Sequence, residues 1–210
     1  MKLGILLALG LITSAAYAGG DIVEPEGSIS EISNQDSQDN GLFVYIAGGG
    51  AVLDTDSFLA PNAAFINGAL DDTGTVGEVG AGYRYSKNIF ATLAAQRTIL
   101  DMVDIDNFYA SINYQFTDVV ANPYIGVLLG YSQLGWSESP HVVVANKDLS
   151  SDGLMYGLQA GIEQVLTENW TLFAKYQFIK YDHLMDIRSS ASTIEHNYGQ
   201  NILIGVRYAF

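Results

Sequence analysis

Two groups of residues in this chain are equipped for chemistry. One is sparse and polar: Glu78, Arg84, Gln96, Asn113, Gln115, Gln159, Glu163, Lys175, Gln177 and Arg207, most of them flanked by apolar or small neighbours. Gathered into one interior, such groups either line a narrow ion path or satisfy one another as a plug, and the cost of burying an unpaired charge favours the plug. The other group lies in "YDHLMD", where Asp182, His183 and Asp186 are close in sequence and Glu195 with His196 follows. Mixed nitrogen and oxygen ligands suit a transition ion, but Asp and His are ordinary solvated loop residues and the spacing matches no recognised metal motif. No catalytic residue, metal site or cofactor is expected.

The elements that must position these residues are strands. From Gly41 onward apolar residues recur with period two, broken by turn residues, in eight runs: 41–52, 74–86, 89–99, 106–116, 123–134, 153–166, 170–182 and 197–210. The connections "SKN", "TDVVANP" and "TEN" are short, whereas 53–73, 100–105, 135–152 and 183–196 are mostly longer. Short connections at one end and long ones at the other predict an all-β fold, an eight-stranded antiparallel up-and-down barrel over 41–210. In the seventh run Trp170, Leu172, Ala174, Tyr176 and Phe178 share one face and Thr171, Phe173, Lys175, Gln177 and Ile179 the other. Charges are scarce within the runs and aromatics recur at their ends. The apolar face is therefore expected to meet lipid and the polar face the lumen.

Composition agrees. The 210 residues carry 23 acidic and 9 basic side chains, a formal net charge of -14, and no cysteine, so nucleic acid is not an expected partner and no disulfide framework exists. Residues 1–18, "MKLGILLALGLITSAAYA", have Lys2, an apolar core and small residues before Gly19, the design of a cleaved secretory signal too short to span a bilayer. Residues 19–40 hold six carboxylates and no Lys, Arg or aromatic residue, which predicts a disordered acidic periplasmic leader.

The last ten residues, "NILIGVRYAF", alternate up to Phe210. Ile202, Ile204, Val206, Tyr208 and Phe210 fall on the lipid face, with Asn201, Gly205 and Arg207 inside. This stretch resembles the C-terminal signature of bacterial outer-membrane proteins, an alternating strand closed by Phe. With the signal segment and the eight runs, the chain resembles the small eight-stranded outer-membrane barrels, the group of OmpX and the OmpA transmembrane domain. The resemblance implies an outer-membrane location, surrounding lipid and lipopolysaccharide, the barrel assembly machinery during biogenesis, and a monomer. It also admits lipid A-modifying enzymes, which in the deacylase case use a His-x-Ser pair. Here the histidines read "HVV", "HLM" and "HNY", and His141, His183 and His196 fall in or beside the long loops.

An eight-stranded barrel is just wide enough for side chains to fill it, so a structural or surface-interaction role is expected, ahead of a narrow ion or small-solute channel and a lipid-modifying enzyme. Two placements follow. A three-residue turn at Thr167, Glu168 and Asn169 pairs Gly161 with Lys175, which puts Glu163, Lys175 and Arg207 into one lumen ion cluster on consecutive strands. A similar turn at Ser86–Asn88 puts Arg97 on the lipid face near the upper edge of the apolar band, within reach of lipopolysaccharide phosphate.

Overall fold

The computed structural model describes residues 41–58, 72–101, 103–117, 121–136, 150–187 and 192–210. The expected signal segment and acidic leader lie outside them. Eight strands, β1 (Gly41–Phe58), β2 (Asp72–Arg84), β3 (Ile89–Leu100), β4 (Val103–Gln115), β5 (Pro123–Trp136), β6 (Ser150–Val165), β7 (Trp170–Ile187) and β8 (Ser192–Ala209), pair antiparallel in chain order. The barrel closes where β8 meets β1, so no strand edge is left to pair with another chain.

The alternation in the sequence becomes two faces. On β7, Thr171, Phe173, Lys175, Gln177 and Ile179 are buried, while Trp170, Leu172 and Phe178 between them are exposed. Large apolar residues recur outward on every strand of the wall, with Leu93 69% and Ile204 62% exposed. A continuous surface of this kind is a lipid-facing one, because water would not tolerate so large an apolar patch. Near the short turns the wall carries an aromatic girdle of edge-packed pairs: Tyr83–Tyr85, Tyr114–Phe116, Trp170–Tyr208 and Tyr208–Phe210.

Two of the turns share one design. In Ser86-Lys87-Asn88 and Thr167-Glu168-Asn169, the amide of the residue just past the incoming strand, Tyr85 or Leu166, donates to the carbonyl of Ile89 or Trp170, each at 2.9 Å. The first turn hydroxyl accepts from the amide three residues on, Ile89 or Trp170. The closing Asn then stitches the hairpin to the next strand: Asn88 Nδ2 donates to the Gln115 carbonyl at 2.8 Å and Asn169 Nδ2 to the Ala209 carbonyl at 2.9 Å. The third short connection ends differently, with Ala121 (φ 64°) and Asn122 (φ 34°) in the left-handed region before Pro123.

The strands run farther at the opposite end than periodicity suggests. β4 begins at Val103 instead of 106, leaving only Asp101 and Met102 between β3 and β4. The stretch expected as a loop over 183–196 is largely hairpin: after a register shift between Lys180 and His183, pairing continues from His183↔His196 to Ile187↔Ser192. His183 is thus a strand residue. Antiparallel pairing satisfies the backbone on either side of a membrane boundary, so it need not stop where the apolar band stops.

If the Asn169 stitch holds the end of β8, Asn169→Ala should lower stability by about 1 kcal/mol, the net worth of one hydrogen bond, in urea titrations of the refolded barrel.

Candidate functional site: the barrel lumen

The lumen is packed with side chains. Its charged members among the described residues are Glu78, Arg84, Glu163, Lys175 and Arg207, and each is paired. Near the short turns, Glu163 accepts both arms of the Arg207 guanidinium, Nη1 on Oε1 at 2.6 Å and Nη2 on Oε2 at 2.7 Å. Its Oε2 also accepts from Gln115 Nε2 at 2.7 Å and from Arg84 Nη2 at 3.3 Å. One carboxylate, 4% exposed, thus holds two guanidiniums, and a forked Arg–carboxylate pair is the strongest form such a contact takes. Aromatic faces complete the shell, with the Arg207 guanidinium 4.8 Å from the Phe43 ring centre and that of Arg84 5.0 Å from Phe90.

Higher in the lumen Glu78 organises a second network. It accepts from Lys175 Nζ at 2.5 Å, Tyr109 hydroxyl at 2.7 Å and Gln96 Nε2 at 2.9 Å. Gln177 ties this to its neighbours, donating to Tyr109 at 2.8 Å and to Gln159 at 3.2 Å and accepting from Gln96 at 2.8 Å. Gln159 in turn donates to Asn113 Oδ1 at 2.6 Å, and Asn201 Nδ2 reaches Gln96 Oε1 at 3.2 Å. The chain of bonds crosses the barrel from β2 to β7.

The expected three-residue cluster therefore divides. Glu163 and Arg207 meet, but Lys175 bonds Glu78 on the far wall. The expected register is present, Gly161 opposite Lys175 and Leu166 joined to Trp170. What differs is the space over Gly161, which the Tyr124 ring occupies, so the ammonium has no path toward Glu163. Glu163 is already saturated by two guanidiniums and an amide, whereas Glu78 would be left with a buried charge if Lys175 turned away. The same device recurs along the wall: Tyr45 lies over Gly80, Phe43 over Gly82 and Phe173 over Gly205. Inward glycines make room for rings from the next strand, and the rings then stack edge to face, Phe43 on Phe90 at 6.1 Å and Phe90 on Tyr124 at 5.4 Å.

Toward the long-connection end the inward residues become apolar: Leu53, Leu100, Val103, Ile105, Leu134 and Met155 are all 5% exposed or less. Among them sits a pair that sequence reasoning missed. His183 Nε2 lies 2.9 Å from Ser132 Oγ, both buried, with the imidazole stacked on Tyr181. The signal was present, since His183 is in step with Lys175, Gln177, Ile179 and Tyr181. Neighbouring Asp182 is exposed and points the other way. The side chains of Asp186, Glu195 and His196, and all of His141, lie outside the described ones.

Arg97 is on the outer wall, 58% exposed, as the three-residue turn predicts, and it is paired there with Asp104 at 3.2 Å and Asp106 at 3.5 Å. The carboxylates were not anticipated as its partners.

With this geometry in view, the chain resembles three solved barrels. Neisserial surface protein A matches with a TM-score of 0.55 at 19% identity, over 80% of this chain and 97% of that one. The outer membrane protein OprG from Pseudomonas aeruginosa matches with 0.54 at 17%, over 83% and 98%. The outer membrane protein AlkL, solved in DMPC lipid bilayers, matches with 0.52 at 16%, over 91% and 97%. The likeness is one of fold: this is the closed eight-stranded up-and-down barrel of the small outer-membrane proteins. No family model matches the sequence, and no curated relative matches it either.

The divided network predicts distinct couplings. Glu163→Ala strands two guanidiniums and should cost about 3 kcal/mol in unfolding titrations. Combining it with Lys175→Met should be additive within about 0.5 kcal/mol, whereas Glu78→Gln combined with Lys175→Met should depart from additivity by about 1 kcal/mol or more.

Proposed function

We propose that this chain is an outer-membrane barrel with a structural or surface-interaction role, its lumen closed to solutes and its work done by the outer wall and the long connections. The observation that carries the reading is that the five lumen charges among the described residues are all bonded to one another or to lumen amides, with apolar side chains filling the end beyond them. An ion path would need some of those groups free to face water. The His183–Ser132 pair is enclosed by the barrel, away from any lipid substrate, which speaks against the lipid A-modifying alternative.

In this reading residues 1–18 direct export and are removed, and the assembly machinery takes the strand ending at Phe210. The short turns and both termini face the periplasm. The barrel stands as a monomer among membrane lipids, lipopolysaccharide included. The net charge of -14 is unsuited to nucleic acid.

Purified, refolded protein in planar lipid bilayers should give no reproducible conductance steps. Regular unitary steps in the unmodified protein would replace this reading by the narrow channel. Protease added to intact cells should cut within 59–71 or 137–149 and spare 19–40.

A further inference from the structure

Among the described residues two cations stand on the outer wall toward the long-connection end, and only one of them is spent. Arg97 on β3 lies 3.2 Å from Asp104 and 3.5 Å from Asp106, so two carboxylates outweigh its single charge and the group repels an anion. Lys180 on β7 has the opposite surroundings. It points outward between buried Ile179 and Tyr181, and its cross-strand partners are Tyr156 on β6 and Tyr198 on β8. Its ammonium lies 5.6 Å from the Tyr198 ring centre, and that ring is stacked on Phe178 at 5.3 Å. No described carboxylate is ion-paired with it, exposed Asp182 included, and Asp152 on β6 accepts the Tyr131 hydroxyl at 2.6 Å. A ring holds the ammonium in place without neutralising it, which leaves its N–H donors for an anion.

The strand itself fixes the height of this row. Trp170↔Tyr208 belongs to the aromatic girdle at the short-turn end, and pairing runs unbroken from there to Lys180↔Tyr198. At about 3.3 Å per residue and a tilt of about 40°, that climb is roughly 25 Å along the membrane normal, the height of the apolar band. Lys180 therefore stands at the second lipid boundary, between two tyrosines of the amphipathic kind that settles at headgroup level.

We propose that Lys180, with Tyr156 and Tyr198 beside it, is the surface on which a lipid A phosphate of the surrounding lipopolysaccharide docks, in place of Arg97. The inference rests on the membrane reading and topology above, which turn the long-connection end outward, toward the leaflet whose lipid carries phosphate on its sugar headgroup. A chain with a net charge of -14 repels such a lipid over most of its surface, so attraction acts where a cation at headgroup level is left uncompensated. An ammonium on a flexible stem meets a phosphate as a point charge and needs no planar fork to do so.

Native mass spectrometry of the folded barrel in detergent with EDTA tests this, with bisphosphorylated lipid A or the same lipid A freed of phosphate added. The unmodified protein should bind the phosphorylated form about tenfold more tightly, the worth of one charge-assisted contact. Lys180→Gln should abolish that excess, Lys180→Arg should keep it, and Arg97→Gln should leave it unchanged. Both positions are on the outer wall, and folding of each variant is followed separately by heat-modifiable migration on gels. Equal binding of the two forms, an excess that survives Lys180→Gln, or one that is lost in Arg97→Gln would overturn the surface while leaving the barrel reading intact. So would equally tight binding of phosphatidylglycerol, since any anionic lipid would then serve. Failure of the unmodified protein to fold into detergent or bilayers would overturn the membrane reading, and the surface with it.

Discussion

A barrel of eight strands has an interior that must be filled by its own side chains, and every charge placed there has to be matched within the wall. In this chain that constraint governs far more than electrostatics. Glu163 holds the guanidiniums of Arg84 and Arg207 from β2 and β8, and Glu78 holds Lys175 from the opposite wall. Each carboxylate thereby ties together strands that share no backbone pairing. The glycines at 80, 82, 161 and 205 follow from the same constraint, because aromatic rings can cover the ion pairs only where the adjoining strand presents no side chain. Replacing Glu163, Glu78 or Lys175 leaves a buried partner without its counter-charge, which is why such networks change as units.

On the reading proposed above, with the interior closed, recognition falls to the lipid-facing wall and the long connections. The wall is not uniform. On one side the girdle of Tyr83, Tyr114, Trp170 and Tyr208 anchors the short-turn end at an interface, as amphipathic rings do. On the other, Arg97 on the outer face is paired with Asp104 and Asp106. The likeness to solved outer-membrane barrels is in fold, and the particular side chains of lumen and wall belong to this sequence.

Much of this was legible before any coordinates. Period two assigned the faces, so Gln96, Asn113, Gln159, Glu163, Lys175, Gln177 and Arg207 were read as interior, and all are buried. The turns SKN and TEN set the register between neighbours, which placed Arg97 outside and Gly161 opposite Lys175. Partnerships across the barrel were not legible. Local pairing says which residues are adjacent on the sheet, but the reach from Lys175 to Glu78 depends on strand tilt and stagger around the whole ring, and on Tyr124 filling the space above Gly161. The extent of β7 and β8 was missed for a related reason. Past the apolar band the outward face turns polar, the contrast between faces fades, and backbone pairing continues without a signature in composition. His183 was assigned to a loop on that account, although it keeps the inward phase of its strand.

The central claim is that the lumen is filled and sealed. Because the chain contains no cysteine, a single Leu203→Cys substitution places the sole thiol at a fully buried lumen position between the two networks. In bilayer-inserted protein treated with a small water-soluble maleimide, this thiol should stay unlabelled for hours and react promptly after unfolding in urea. Prompt labelling of the folded, inserted barrel would contradict the account, since it requires a water-filled path to the centre of the lumen.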